Sequence, residues 1–268
     1  MTRRLWETGW AAIFLLLVSA GSAPGQQSDQ KLWDEIQALK KGQEEILRQL
    51  LEVKQLLQSR PATAPAAPEV RNVAVDLGNR PAKGSTAARL TLIEFSDYQS
   101  PYCARHTRDT DPQMQKEYDQ TGKLRYVFFD MPLESIHKQA FKAAEASRCA
   151  GEQGKYWEMH ERLFANQQAL EPWAAHAKAL GLDATRFDAC MSTGKFAGAI
   201  RTDITAAQKL GINSTPSFLL ATTDPNDPTR VKGLSLVRGA QPFGSFKLEI
   251  DKALVVDAPG KGLRWVPS

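Results

Sequence analysis

Cysteine is scarce in this chain: there are three among 268 residues, Cys103, Cys149 and Cys190. Three thiols are too few for a four-cysteine zinc site or a disulfide-framework mini-fold. The number is odd, so at most one intramolecular pair forms and one thiol is left over. Histidine is nearly as scarce, and His106, His137, His160 and His176 nowhere stand at a metal-ligand spacing with a third donor, so no metal is expected. There is no run of Lys and Arg, and a net charge of +4 is small for this length, which excludes a dedicated nucleic-acid surface. No apolar run reaches the roughly 20 residues that span a bilayer. What is present, 42% hydrophobic and 24% charged residues, is the balance of a globular protein with one large domain, or a medium domain with attachments.

The N-terminus reads as an address. Arg3 and Arg4 precede a short apolar run at residues 10–18, followed by Ser19, Ala20, Gly21, Ser22 and Ala23. A basic start, an apolar stretch and small residues at its end describe a secretory signal peptide over residues 1–23, cleaved after Ala20 or Ala23. Contact with a membrane is then transient, and export places the chain in an oxidising compartment.

Residues 29–58 read as one helix. Leu32, Ile36, Leu39, Ile46, Leu50, Val53 and Leu57 alternate spacings of four and three, with Gln43 at the one polar position of the stripe. A period of about 3.5 residues over about four heptads is the coiled-coil signal. With Ile36 at position a, Glu35 falls at g and Lys40 at the next e, a pair able to bridge neighbouring strands. Leu47 and Leu56 widen the apolar face, which favours a homo-oligomer of three or more strands and leaves a dimer open; the other reading is a single amphipathic helix folded back on its own domain. Residues 59–69, with Pro61, Pro65 and Pro68 among alanines, form a semi-stiff linker.

From residue 70 to about 258 the pattern is that of an α/β domain. Strands are expected at 73–75, 90–95, 124–129, 217–221 and 236–238. A helix is expected from Ser100 and Pro101 to about Asp119, because serine is a good N-cap and proline suits the first helical position. Residues 133–211 read as a helical insert, and residues 243–256 as a closing amphipathic helix.

The segment Ile93-Glu94-Phe95-Ser96-Asp97-Tyr98-Gln99-Ser100-Pro101-Tyr102-Cys103 resembles the active-site region of DsbA-like thioredoxin-fold proteins. The resemblance continues through Tyr126-Val127-Phe128-Phe129-Asp130, Arg148-Cys149-Ala150-Gly151-Glu152, Thr215-Pro216-Ser217-Phe218 and Gly239-Ala240-Gln241-Pro242-Phe243, in order, over roughly residues 70–256. It implies a thioredoxin-like α/β fold with a helical insertion behind the N-terminal coiled-coil helix. It also implies thiol-disulfide exchange on extracytoplasmic protein thiols in a periplasm-like compartment, with no cofactor.

The sequence departs from the family at one position. Where the family has the first cysteine of Cys-Pro-x-Cys, this chain has Ser100. A thiol at a helix N-terminus is stabilised as the thiolate and attacks disulfides. A serine hydroxyl keeps the cap and cannot form a disulfide. Cys103 reads either as a single-thiol site or as a small, half-buried helix residue. Glu94 lies on the strand leading in, where either a buried or a solvent-facing side chain fits. The resemblance implies a buried acid that exchanges protons with the second cysteine. It also implies a cis bond before Pro216 and a substrate-binding face made by Pro101, Tyr102, Thr215 and Pro216. In an exported protein Cys149 and Cys190 are the natural pair, closing a loop worth about 4 kcal/mol in chain entropy; the alternative joins Cys103 to one of them. The competing function is a redox-inactive peptide-binding chaperone or adaptor on the same fold.

Overall fold

In the computed structural model, residues 24–59 and 69–256 are described. The expected signal peptide, nearly all of the linker and the residues after 256 lie outside them. The chain divides into two units, Met1–Ala64 and Pro65–Ser268. The first holds a single described helix, α1 (Pro24–Ser59), which begins ahead of the expected start at residue 29. Around Gly42 its central stretch is rich in Leu, Glu, Gln, Lys and Arg, all strong helix formers. Leu32, Leu39, Ile46, Leu50 and Val53 are exposed along it, and Ile36 is half-buried.

The second unit is built on a six-stranded sheet. Strand β3 (Leu90–Ser96) lies inside it, parallel to β4 (Leu124–Asp130) and antiparallel to β5 (Ser217–Thr223). β6 (Arg230–Arg238) and then β1 (Ala74–Asp76) follow β5 on one side, and β2 (Ala82–Gly84) pairs with β4 on the other. Every residue of β3 and β4 is buried, so both faces of these strands are covered. Alternation along the strands sends Ile93, Phe95, Val127, Phe129 and Leu219 into one core, with Ala207 and Leu210. It sends Leu90, Leu92, Tyr126, Phe218 and Leu220 into the other, with Phe246 and Ile250 of the closing helix α9 (Phe243–Val256). Between β4 and β5 stand α4 (Ala140–Gly151), α5 (Tyr156–Ala165), α6 (Trp173–Ala179), α7 (Ala184–Ser192) and α8 (Ala197–Lys209), the expected insert.

Three local features differ from the expectations. The helix expected over 100–119 is broken: α2 (Pro101–Asp109) ends at Thr110, α3 (Asp111–Met114) begins afresh, and a π-helical turn (Gln115–Asp119) follows. Pro112 has no N–H to continue the α2 ladder but suits the first turn of a new helix. The strand expected at 236–238 starts earlier, at Arg230. It passes beneath Val70 through Gly233, where a Cβ would lie 2.2 Å from the Val70 carbonyl oxygen. β2 was not expected, because three residues, one of them glycine, carry no alternation to read.

Cys149 and Cys190 form a disulfide between α4 and α7, with Cα atoms 5.8 Å apart and a sequence separation of 41. Cys103 is the free cysteine. Replacing both Cys149 and Cys190 by alanine is expected to lower unfolding stability by about 2–4 kcal/mol, read as a shift of the urea midpoint at constant m-value. A midpoint unchanged from the parent would show that the crosslink constrains little.

A buried ionic cluster ties the insert to the sheet. Arg148 of α4 donates to Asp130 at the end of β4 and to Asp203 of α8, both at 2.7 Å. Arg80 donates to the other oxygen of Asp203 at 2.6 Å, its guanidinium carbon 4.1 Å from the centre of the Phe129 ring. Asp130 and Asp203 are almost wholly buried.

Candidate active site

Strand β3 delivers the site. It carries Glu94 in register with Phe128 on one side and Phe218 on the other, then turns through Asp97 into α2. Asp97 fixes that turn: its carboxylate accepts from the Gln99 N–H at 2.7 Å and the Leu133 N–H at 2.7 Å, and lies 2.8 Å from His137 Nδ1. Ser100 has extended backbone angles, φ −71° and ψ 121°, and its hydroxyl accepts from the Cys103 N–H at 3.4 Å. It is therefore the N-cap of α2, with Pro101 at the first helical position. Gln167 in the insert holds the same turn from outside, donating to the carbonyls of Tyr98 at 2.8 Å and Ser100 at 2.9 Å.

Cys103 sits one turn into α2 with no exposed surface. Burial pushes its thiol up to about 12 and the Glu94 charge adds to the effect, against hydrogen bonding from Ser100, Ser96 and the Asp97 backbone. At neutral pH it is a protonated thiol, without the reactivity of a helix-terminal thiolate. Glu94 is also completely buried, which pushes its carboxyl up to about 8; Asp111 adds to the shift, and Ser96 and Lys83 oppose it. Tyr126 donates its hydroxyl to Glu94 Oε2. His106 Nε2 stands 3.9 Å from the same oxygen. The imidazole packs against both Phe218 and Phe246, with ring centroids 4.4 and 5.4 Å away, and burial lowers it to about 3.

The Thr215–Pro216 bond is cis, the geometry that the resemblance implies. It immediately precedes β5, whose Ser217 is in register with Phe95, so it lies at the end of the sheet from which β3 leads into α2. Gly239 donates to the Pro216 carbonyl at 2.8 Å, and Arg105 of α2 donates to the Ala240 carbonyl at 3.0 Å. The turn at residues 239–241 thus touches both the proline and the helix. Tyr102 is 58% exposed at the start of α2.

The structure brings Glu94, Ser100, Pro101, Tyr102 and Cys103 to one strand-to-helix turn, and sets Thr215 and Pro216 at the same end of the sheet. Cys149 and Cys190 belong to the insert. Sequence reasoning missed Tyr126, Gln167 and the Asp97–His137 contact, and took His106 for a scattered residue. The available signal for His106 was its spacing of three from Cys103, which puts both on one helix face. His160 is a packing residue, its Nδ1 3.2 Å from the Tyr98 hydroxyl, surrounded edge-on by Phe128, Trp157 and Phe164.

A family model described as thioredoxin matches residues 76–236. The chain belongs to the thioredoxin family. Among solved members of this fold it is similar to alpha-DsbA1 of Wolbachia pipientis, with 25% identity, a TM-score of 0.57, and coverage of 66% of this chain and 92% of that one. It is also similar to a thioredoxin-like oxidoreductase from Silicibacter pomeroyi DSS-3, with 27% identity, a TM-score of 0.52, and coverage of 65% and 92%. Among curated proteins it is 33% identical over 165 residues to Na(+)/H(+) antiporter NhaA 3 of Salinispora tropica, covering 61% of this chain and 25% of that protein. The chain thus spans about a quarter of that relative's length. No helix among the described residues is long and apolar enough to cross a membrane.

Proposed function

We propose that this thioredoxin-family protein is an exported, DsbA-type module that binds extended segments of client proteins at the Thr215–Pro216 face, and that its Ser-Pro-Tyr-Cys site has lost net thiol oxidation. The observation that carries this reading is the complete burial of Cys103 behind a helix start whose cap is a hydroxyl. With Ser100 in the place of the outer cysteine, no dithiol exists to close, and exchange stops at a mixed disulfide. Recognition by the backbone of the Thr215–Pro216 segment, which immediately precedes β5, needs no thiol.

Several further elements belong to this proposal. Residues 1–23 act as the signal peptide, and the protein works in a periplasm-like compartment. Residues 29–58 assemble the chain into a homo-oligomer, a trimer or dimer, supported by the exposed apolar stripe of α1. Residues 59–69 separate that stem from the domain at 70–258. Several client sites on one stem raise binding by effective concentration.

A second reading, single-thiol exchange through Cys103, draws support from the retained Glu94, the Cys103 position and the similarity to oxidoreductases. Insulin reduction and refolding of a scrambled-disulfide client, measured for the parent, Cys103→Ala and Ser100→Cys, separate the two. We expect an inert parent and a gain of at least a hundredfold over background in Ser100→Cys, with suppression of client light scattering equal in all three. An active parent abolished by Cys103→Ala overturns the binding reading in favour of exchange. A separate light-scattering measurement of mass, with and without residues 29–58, tests the stem: a monomer at full length overturns it.

A further inference from the structure

Beneath α2 lies a buried pair of polar side chains that helix capping does not account for. Glu94 and His106 are both almost wholly buried. Glu94 Oε1 and both ring nitrogens of His106 have no hydrogen-bond partner among the described residues. A buried polar group without a partner is costly, so three such atoms on two facing side chains call for an explanation. The rings of Phe218 and Phe246 pack against the imidazole and hold it in place. His106 follows Cys103 by three residues on α2, so thiol and imidazole share the helix face turned toward Glu94.

We propose that His106 is the proton partner of Glu94: the two side chains hold one proton between them and together accept the proton of the Cys103 thiol. This deepens the reading of the same site given above. When Cys103 ionises, its proton passes to Glu94 while the Glu94 proton passes to His106 Nε2. A thiolate and an imidazolium result, the carboxyl remains neutral, and the net charge of the pocket is unchanged. The other charged and titratable groups around the pair are Lys83 from β2, Asp111 from α3, Tyr126 from β4 and His160 from α5. Among the described residues Tyr126 donates to Glu94 Oε2, the same oxygen that His106 Nε2 approaches at 3.9 Å, and Oε1 is left without a partner. Burial acts on the two groups in the same sense, favouring the neutral form of each, so the pair is held with one proton through neutral pH.

The coupling is read in the full-length parent chain by nitrogen-15 NMR of the histidine rings and by the infrared carboxyl band of Glu94. In Glu94→Gln the His106 ring resonances are expected to change tautomer or shift strongly. In His106→Phe, which keeps the aromatic packing, the Glu94 midpoint is expected to move by at least one pH unit, a tenfold change in proton affinity. Unchanged resonances and an unchanged midpoint overturn the proposal. A shift seen from one side alone overturns it as well, because coupling between two binding sites is reciprocal. The thiol step is read in the Ser100→Cys chain, where His106→Phe is expected to slow disulfide formation at least tenfold and to displace its pH profile. An unaltered rate and profile overturn that step. If Ser100→Cys itself gains no exchange, the failure belongs to the reading of the site, while the proton coupling stands or falls on the spectra of the parent.

Discussion

Replacing Arg148 by leucine should cost about 3–5 kcal/mol of unfolding free energy at neutral pH, the penalty of leaving buried charge without its partner. The arginine is the only direct cationic contact that Asp130 makes among the described residues, and it shares Asp203 with Arg80. Its removal strands Asp130 at the end of β4, where no exposed surface is left to hydrate it. The clasp joins α4 and α8 to the sheet, so its loss loosens the insert as well as the strand. A stranded carboxyl favours its proton in the folded state. Its pKa then lies above the unfolded value, and its penalty grows as pH rises through the unfolded pKa. The deficit of Arg148→Leu relative to the parent is therefore expected to shrink as pH falls toward 4. Urea titrations at pH 4.5 and 7.5 check this. Equal deficits at both values, or a loss under 1 kcal/mol, would sink the account.

The second large effect is the pH dependence set by Glu94 and His106. Glu94 titrates at about 8 in the folded chain against an ordinary 4.5, so the folded state binds the proton more tightly. Its contribution to stability is intact below pH 4.5 and is lost as pH rises toward 8. His106 titrates at about 3 against an ordinary 6.5, so its contribution is intact above 6.5 and is lost as pH falls toward 3. Between 4.5 and 6.5 the two slopes are opposite and cancel. In Glu94→Gln the acid's slope is gone. The stability of that variant relative to the parent should rise by about 1.4 kcal/mol per pH unit from 4.5 upward and level off near 8, a total of about 5 kcal/mol. A flat difference across that window would mean that Glu94 keeps its ordinary ionisation when folded.

Much of this site was legible from residue order because local chemistry determines it. A serine followed by proline caps and starts a helix whatever surrounds it, and Ser100 does so. The central strand expected at 90–95 announced itself by a stretch rich in β-formers, and the pairing of Cys149 with Cys190 followed from their shared place in the insert. What stayed hidden depends on partners remote in sequence. β2 exists because β4 offers it a ladder, and nothing in Ala82, Lys83 and Gly84 says so. The burial of Glu94 is decided by His106 on α2 and by Tyr126 on a neighbouring strand. Gln167 reaches the helix start from the insert, a contact that no spacing encodes. The break at Thr110 was readable from Pro112, and the strength of the cap twelve residues earlier obscured it.

The two outermost strands, β1 and β2, are three residues long, whereas the inner β3, β4 and β5 each have seven. A strand that short presents little more than one repeat of unpaired amides and carbonyls, and β2 has Lys83 at its middle. Long exposed edges recruit foreign strands and nucleate fibres, and short edges carrying lysine resist this. A protein that meets unfolded chains is exposed to such capture continually. Its flanks are poor templates for cross-β stacking, so growth of a mixed sheet from either side is disfavoured. On the proposed function, clients engaged at the end of the sheet can then dissociate without being drawn into its plane.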